Sequence, residues 1–357
     1  MRTRKQTRAE SEHVNSTPAT PPRPTTPPNA VANINKIEEP IAALAAAASS
    51  PEAPSAKIPK ALHFPLVLLL SLAMSQLGYS MTWPWTKGEL TAHVRLLSVW
   101  ADVLLVTGWR IFELGLGWYG NYDGYDLTAL NLLSHGPPLY LLYAFYGTPA
   151  SALLLTLAVE TIATYVPFRL LRPLSTAHAS PSTAPNAEIV TDRPIALLTT
   201  LLAGAIYSVT LSFAYATYLP RFLVVYFAGL PSVASAHDTT FVALLPMTLV
   251  LGLAAHTFIF TPAEASPNTP DDEKEEFDPV EASLAETVRW NVWGWSAQTR
   301  VVVQRTALLM GITGVNTFLQ TSLTIRGVEP AGAAAWSSVW VLAAAVTGLA
   351  LGAVGSG

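Results

Sequence analysis

The sequence predicts an all-α, polytopic helical membrane protein with six or seven transmembrane helices. Several apolar stretches approach or exceed the roughly 20 residues that a helix needs to cross a hydrocarbon core of ~30 Å. Charged residues make up only 12% of the chain, against about 25% in ordinary soluble proteins. The stretches are continuous rather than alternating, which favours helices over a transmembrane barrel. The six stretches are Ala61–Ser80, Leu139–Val166, Ile195–Tyr218, Thr240–Phe260, Val301–Leu323 and Ala333–Val354.

Residues 1–58 are predicted to be a disordered tail. They are rich in Pro, Thr, Ser and Ala, and such a segment buries too little apolar area to offset its chain entropy. No apolar run follows the basic start, so we expect no secretory signal peptide. Arg2 and Arg4 leave three alternatives: a solvated basic end that no receptor recognises, an arginine-based endoplasmic-reticulum retention signal, or a weak mitochondrial presequence. The Thr-Pro pairs of the tail are candidate phosphorylation sites.

Residues 59–261 are predicted to hold the first membrane helices, and their topology depends on the segment Leu96–Leu116. The segment is long enough to cross but carries Asp102, Arg110 and Glu113. If it spans, the chain crosses seven times and the tail is lumenal. If it is re-entrant or interfacial, there are six crossings and both termini are cytosolic. Asn15 lies in a glycosylation acceptor pattern and would report a lumenal tail.

Five ionisable residues within or near the apolar stretches form a candidate intramembrane polar cluster. Ionisable groups in lipid are costly unless they are paired or face a cavity, so they are functional candidates. One alternative is local pairing between Arg110 and Glu113, which are three residues apart. A Glu160–Arg305 pair between helices is another alternative, and a polar transport path is a third. The cluster consists of Asp102, Arg110, Glu113, Glu160 and Arg305.

A polar segment before Leu139 is the candidate interfacial loop, and it contains Asn121, Asp123, Asp126 and His135. We expect Pro137 and Pro138 to break the chain ahead of the next span. The loop supplies too few oxygens for the six to eight that Ca²⁺ takes, and the absence of cysteine excludes thiolate sites. No metal or cofactor is therefore predicted. His135 with Asp123 or Asp126 has the right residue types for proton transfer near lipid headgroups.

Residues 262–298 are predicted to form an acidic loop and an interfacial amphipathic helix, ahead of the last two membrane helices in residues 299–357. The acidic run Asp271–Glu276 is typical of a solvated spacer. Asp278 as the N-cap, with Pro279 and Glu281 after it, indicates a helix start. Apolar residues then recur on one face, and three tryptophans precede Val301. This pattern favours a helix on the membrane surface.

Small residues recur every fourth position in the last apolar stretch, at Ala344, Gly348 and Gly352. Such a ridge lets two helix backbones approach closely. We expect it to serve helix packing, either within the bundle or between subunits.

The leading functional hypothesis is a non-enzymatic multi-pass protein of an internal eukaryotic membrane that acts through protein or lipid interaction. The endoplasmic reticulum or another endomembrane is favoured, with a mitochondrial membrane as the alternative. Expected partners are membrane lipids, proteins that contact the tail or the acidic loop, and a second copy of the chain. The net charge of −4 argues against nucleic acid. A transporter or channel is the second hypothesis, and a lipid-modifying membrane enzyme is the third.

Overall fold

The computed structural model describes residues 59–95, 97, 99–179, 189, 191–260, 283, 284 and 297–355. The predicted disordered tail and Asn15 lie outside the described residues. So does nearly all of the predicted acidic loop and interfacial helix. Within the described ranges the structure is helical, with isolated antiparallel bridges at Val94–Ile325 and Phe227–Val328, so the all-α class is confirmed.

Eight helices of 20 residues or more form the body of the described structure, and three short helices connect them. One π-helical turn, Gln320–Thr324, continues the tenth helix. In chain order the helices are α1 (Lys60–His93), α2 (Trp100–Tyr119), α3 (Gly124–Tyr146), α4 (Ala150–Leu171), α5 (Thr176–Ala179), α6 (Arg193–Ala216), α7 (Leu219–Tyr226), α8 (Ala234–Asp238), α9 (Phe241–Phe260), α10 (Ala297–Leu319) and α11 (Pro330–Gly355).

Five of the described helices, α1, α4, α6, α9 and α11, are long and apolar enough to cross a membrane. Helix α2 corresponds to the ambiguous segment Leu96–Leu116 and is a continuous helix of 20 residues. Helices α2, α3 and α10 are equally long but are not among these five. The expected count of six or seven crossings therefore stays a prediction.

The predicted span Leu139–Val166 is wrong, because the structure divides it between two helices. Helix α3 ends at Tyr146, and Gly147 takes a left-handed backbone with φ of 69°, which glycine adopts without a steric penalty. Pro149 then precedes the first residue of α4. The expected break at the double proline is also wrong, since α3 continues through Pro137 and Pro138.

Helix α10 compensates for the two prolines in α3. A proline has no N–H, so the carbonyl four residues earlier in the helix loses its donor. Thr313 Oγ1 donates to the freed carbonyl of Leu133 at 3.5 Å, and Asn316 Nδ2 donates to that of Ser134 at 2.9 Å. Neighbouring helices commonly rescue proline in apolar surroundings in this way. The helix therefore continues past a sequence signal for a break.

Helix α3 lies at the centre of the described fold and packs against α4, α9 and α10. Of its 23 residues, 15 are buried. Side chains from other helices donate to its polar atoms: Trp336 Nε1 of α11 contacts the Pro137 carbonyl at 3.2 Å, and the Tyr215 hydroxyl of α6 contacts that of Tyr140 at 3.3 Å. The central position of α3 determines where the polar clusters form.

Small residues set the closest helix contacts. Gly252 of α9 faces Gly204 of α6, and a methyl group at either position would collide with the opposite helix. The predicted ridge of α11 lies against α10 of the same chain: Ala344 is fully buried, a methyl group at Gly348 would overlap Thr306, and one at Gly352 would meet Val302 at 3.5 Å. The ridge thus packs within the bundle.

Candidate functional site

The predicted interfacial loop is a tight turn between α2 and α3. Gly120 ends α2, and Asn121 has a positive φ of 58°, a conformation that asparagine tolerates better than most residues. The guanidinium of Arg172 donates to three backbone carbonyls of this turn and to the Asn121 side chain. A helix C-terminus leaves carbonyls unpaired and favours a cation. Arg172 therefore fixes the turn from the end of α4.

Both carboxylates of the predicted loop belong to a capping box at the N-terminus of α3. Asp123 Oδ1 accepts from the backbone N–H groups of Tyr125 and Asp126, both at 3.0 Å. Asp126 Oδ2 in turn accepts from the Asp123 N–H at 3.4 Å. This reciprocal capping box satisfies N–H groups that the helix itself leaves unpaired. Both carboxylates are also stabilised by the positive end of the helix dipole.

His178 on α5 completes one side of this site. Its Nδ1 lies 2.6 Å from Asp123 Oδ2, and the Ser175 N–H donates to the same oxygen at 3.0 Å. Burial raises the pKa of Asp123, but hydrogen bonds from His178 and from backbone N–H groups outweigh it and lower that pKa below its usual range. Burial lowers the pKa of His178, yet its hydrogen bond to Asp123 raises that pKa overall. The pair therefore favours imidazolium and carboxylate.

Arg305 completes the other side. Its guanidinium forms a two-pronged pair with the Asp126 carboxylate at 2.8 and 3.2 Å. The guanidinium also lies between the rings of Tyr122 and Phe258, at 4.5 and 4.6 Å from their centroids. Asp126 is fully buried and Arg305 is 3% exposed. The pair joins α10 to the start of α3, and removal of either partner would leave a buried charge unpaired.

We call Asp123, Asp126, His178 and Arg305 the capping cluster. One ligand atom from each of the first three lies within 4.8 Å of the others, and these residue types can hold a metal ion. However, both Asp126 oxygens face Arg305, and the Nδ1 of His178 contacts Asp123. With His178 protonated, the four groups carry two negative and two positive charges. In this protonation state the capping cluster has no net charge, and it links the start of α3 to α5 and α10.

The predicted pairing of His135 with Asp123 or Asp126 is wrong. His135 lies nine residues after Asp126 on the same helix, about 13.5 Å along its axis at 1.5 Å per residue. Its Nδ1 lies 3.0 Å from Ser134 Oγ. The histidine beside the carboxylates is His178, which the sequence analysis missed because nothing in its local pattern marks it.

A second set of polar residues joins α1, α2, α3 and α4, and we call it the Arg110 cluster. Arg110 contacts Glu160 at 3.1 Å, Glu113 at 3.5 Å and Thr164 Oγ1 at 2.6 Å. The predicted Arg110–Glu113 pair is therefore confirmed, with Glu160 as an additional partner. The Tyr79 hydroxyl of α1 donates to Glu160 at 2.5 Å. The cluster consists of Arg110, Glu113, Glu160, Tyr79, Ser75, Asn131 and Thr164.

A small cavity of about 20 Å³ adjoins this cluster. Such a volume holds about one water molecule. Glu113 lines the cavity, and its Oε1 is buried without a hydrogen-bond partner among the described residues. Its other oxygen faces Arg110. The remaining lining residues are Arg110, Leu114, Leu127, Leu130, Asn131, Ser134, Thr164 and Ile312.

The five residues of the predicted intramembrane cluster fall into three groups. Asp102 pairs with Arg95, which precedes α2. Arg110, Glu113 and Glu160 form the second group, and Arg305 belongs to the capping cluster. The alternative Glu160–Arg305 pair is therefore wrong, because each residue has another partner.

We compared the chain with protein-family models, curated proteins and solved structures, and none of them matches it. A functional proposal for this chain therefore depends on the geometry of the two clusters and on the exposed faces of the helices.

Proposed function

We propose that the chain is an integral multi-pass membrane protein that is not an enzyme and acts through protein or lipid interaction. The five apolar helices support the membrane part. Large apolar side chains face outward from the described body, among them Leu77 at 61% exposure and Trp100 at 80%. A soluble monomer rarely exposes so much contiguous apolar surface, whereas lipid tails solvate such faces without cost.

The observation that carries the non-enzymatic part is the pairing of Arg305 with Asp126. A buried charge in a membrane helix is a candidate for transport or catalysis by default. Here the charge is neutralised by a two-pronged partner, flanked by two aromatic rings and buried between α3 and α10. Arg172 is likewise engaged in closing the α2–α3 turn. The contacts of both arginines support a structural role for these buried charges, which is to hold the helices together. We therefore place the contacts with partners on other surfaces of the protein.

Two segments that lie almost wholly outside the described residues are the proposed contact surfaces: the tail, 1–58, and the acidic loop with its tryptophans, 262–298. Their composition favours exposure to solvent and to the headgroup layer. The endoplasmic reticulum is the proposed compartment, because Arg2 and Arg4 fit a retention signal. Replacement of both arginines by alanine would then redistribute the tagged protein to later secretory membranes, and unchanged localisation would refute the signal.

Affinity purification of the full chain tests the interaction proposal. Membranes that contain the C-terminally tagged protein are washed with alkaline carbonate, which removes peripheral proteins. The tagged protein is then extracted in mild detergent, and copurifying molecules are identified by mass spectrometry. We expect a stoichiometric protein partner that is lost when the acidic run Asp271–Glu276 is neutralised to Asn and Gln. Neutralisation of the exposed Glu89 and Glu329 is the matched control. A chain that purifies as a partner-free monomer in every case would refute the proposal.

Transport is the second candidate, and the cavity beside the Arg110 cluster is the observation that favours it. Paired charges beside a cavity within a membrane domain are a feature of ion and proton pathways. Under this candidate, Glu160→Gln or Glu113→Gln abolishes a flux in reconstituted vesicles without changing protein abundance. Equal loss of abundance would instead indicate that these residues have a structural role.

A further inference from the structure

Five helix ends meet at one end of the described bundle, which we call the arginine end. Arg172, which follows α4, donates to backbone carbonyls of the turn between α2 and α3. Arg305, in the third turn of α10, contacts Asp126 at the start of α3 and the carbonyl of Phe258 at the end of α9. The end of α2, the start of α3, the ends of α4 and α9 and the start of α10 therefore lie together.

The other three long helices also have one end at the arginine end. Thr199 Oγ1, in the second turn of α6, lies 2.9 Å from Nδ1 of His256, near the end of α9. The ring centroids of Phe64, near the start of α1, and Tyr119, the last residue of α2, are 5.4 Å apart. The last turns of α11 contact the first turns of α10. Helices α1 and α6 thus begin, and α11 ends, at the arginine end.

The opposite ends of the long helices meet at the other end of the bundle, which we call the bridge end. Residues 325–328, between α10 and α11, form antiparallel bridges with Val94 after α1 and Phe227 after α7. Ser235 of α8 donates to the carbonyl of Ala144, near the end of α3, at 2.6 Å. Three residues join α3 to α4, and three residues reach at most about 11 Å. Successive long helices therefore run in opposite directions between the two ends.

Helix α2 has the exposed aromatic ends of a membrane span, although its composition is ambiguous. Trp100 and Tyr119, its first and last residues, are 80% and 76% exposed, and they lie about 28.5 Å apart along the axis at 1.5 Å per residue. Trp and Tyr favour the two headgroup layers of a membrane, and this spacing matches a hydrocarbon core of ~30 Å. The inner charges of α2, on Arg110 and Glu113, lie in the Arg110 cluster.

Helices α3 and α10 are each 23 residues long, about 34.5 Å at 1.5 Å per residue. They are not among the five candidate spans, but their buried charges are paired, since Arg305 of α10 contacts Asp126 of α3. Asn316 of α10 also donates to the Ser134 carbonyl of α3. Polar residues of membrane helices typically face the bundle interior and pair with one another. All eight long helices can therefore cross the membrane.

Basic residues near helix ends are twice as frequent at the arginine end as at the bridge end. Short cytosolic segments carry an excess of Lys and Arg, which indicates that the arginine end faces the cytosol. Residues 172–192 and 261–296 connect helices at this end and contain no apolar run long enough for a further crossing. In the terminal two turns of the long helices, or within about 20 residues outside them, the arginine end has Lys57, Lys60, Arg169, Arg172, Arg193, Lys274, Arg289 and Arg300, and the bridge end has Lys87, Arg95, Arg221 and Arg326.

We propose that the chain crosses the membrane eight times and presents the tail, 1–58, and the acidic loop, 262–298, on its cytosolic side. The tail joins α1, and the acidic loop joins α9 to α10, all at the arginine end. The protein partner of the interaction function is then a cytosolic protein, which can contact both segments at once. This topology rests on the membrane location proposed above, and it replaces the six or seven crossings that composition predicts.

Single cysteines test this topology, because the chain has none of its own. Tyr119→Cys and Ala179→Cys place a thiol at exposed positions of the arginine end, and Ser151→Cys and Ala234→Cys do so at the bridge end. A membrane-impermeant maleimide is applied to intact cells, to cells whose plasma membrane alone is permeabilised, and to cells solubilised in detergent. The cysteine-free chain is the control for background labelling.

We expect the two thiols of the arginine end to react once the plasma membrane is permeabilised, and the two of the bridge end to react only in detergent. Six or seven crossings would place Tyr119 in the lumen and Ser151 within the membrane, so these two positions are decisive. Protection of Tyr119→Cys in permeabilised cells, or the reverse pattern at all four positions, would overturn the proposal. Labelling of the bridge end alone in intact cells would support the same topology in the plasma membrane. Equal labelling of all four thiols before detergent is added would refute the membrane location itself.

Two readouts on the unsubstituted chain keep the proposal falsifiable if a variant does not fold. Asn15, in the glycosylation acceptor pattern of the tail, is expected to stay unmodified. Epitope tags before the tail and after α11 are both expected to bind antibody once the plasma membrane is permeabilised. A glycosidase-sensitive mass shift that Asn15→Gln abolishes, or a protected tail tag, would place the tail in the lumen and overturn the topology. A chain with the expected topology but no copurifying partner would refute the interaction function alone.

Discussion

Helices α1 and α3 show opposite relations between composition and burial. Helix α1 is one of the five apolar candidate spans, yet only 3 of its 34 residues are buried. Helix α3 carries Asp126, Asn131, Ser134 and His135 and two prolines, yet 15 of its 23 residues are buried. In water the long apolar stretch of α1 would lie inside the fold, and the polar side chains of α3 would face solvent. The reversal is expected where the solvent is lipid, because polar groups then need partners inside the bundle.

The comparison also separates two ways in which these helices are held. Helix α3 is fixed by directed interactions: the Arg305 pair, the donors from α10 to its freed carbonyls, and Trp336 on the Pro137 carbonyl. Helix α1 packs along α4 and reaches the Arg110 cluster through Tyr79 and Ser75. Its outward face carries exposed apolar side chains such as Leu69 and Leu77. Substitutions should therefore cost far more at α3 than at α1.

The largest effect is expected from Arg305→Met. It leaves the Asp126 carboxylate buried without its partner, which we expect to destabilise the fold by about 3–5 kcal/mol. The double variant with Asp126→Asn should recover part of this loss, since it also removes the buried negative charge. Abundance and thermal unfolding in detergent measure both. Arg300→Met, exposed on the same helix, is the control, and an equal loss there would contradict the assignment.

Gly348→Ala is expected to cost about 1–3 kcal/mol, because the added methyl group overlaps Thr306 of α10 and overpacking has this magnitude. Gly311→Ala is the matched control on α10: a methyl group there meets nothing within 4 Å among the described residues, and alanine is the better helix former. The unfolding temperatures of the two variants should therefore move in opposite directions. If Gly348→Ala were neutral, the ridge would not be a close helix contact.

The His178–Asp123 pair predicts a pH dependence of about 1 kcal/mol, the scale of one hydrogen bond. Since the pKa of His178 is raised from 6.5, its contribution is present below pH 6.5 and is lost as pH rises through the raised value. The pKa of Asp123 is lowered, so its contribution persists down to acid pH. Thermal unfolding from pH 6 to pH 9 should show the loss, and His178→Gln should flatten that part of the curve. A steeper curve in the variant would contradict the pairing.

The smallest effect is expected on the outward face of α1. Leu77→Ala should change stability by no more than about 0.5 kcal/mol, as for other surface substitutions. Val67→Ala, at a fully buried position of the same helix, is the matched control and should lower the unfolding temperature measurably. If Leu77→Ala were the more harmful of the two, the outward face of α1 would be a packed interface.

Apolar composition located the most apolar helices well and the central helix α3 poorly. The predicted spans Ile195–Tyr218 and Thr240–Phe260 agree with α6 and α9 within a few residues, because lipid-facing helices need only a continuous apolar run. The α3–α4 boundary was missed because Gly147 and Pro149 interrupt the helix within one such run. The double proline was wrongly predicted to break the helix, because the side chains that donate to the freed carbonyls lie on α10, about 180 residues later in the chain.

Within the candidate site, contacts between residues close in sequence could be predicted, whereas contacts between distant residues could not. The Arg110–Glu113 pair could be predicted because its members are neighbours on one helix turn. The partners of Asp126, Asp123 and Glu160 are distant in sequence, and only the packing of the helices identifies them. The sequence Asp123-x-x-Asp126 before an apolar run was a usable capping signal, but the expected chain break at the prolines obscured the helix that it begins.

The central claim is that the outward face of α1 contacts lipid while the polar groups of α3 are enclosed. The chain has no cysteine, so single cysteines at Leu69 and Leu77 can carry spin labels in reconstituted vesicles, with Ser71 as the buried reference. We predict that collisions with lipid-soluble oxygen are frequent and those with a water-soluble nickel complex rare at Leu69 and Leu77, and that both are rare at Ser71. Collisions with nickel exceeding those with oxygen at Leu69 and Leu77 would place α1 in water and contradict the account.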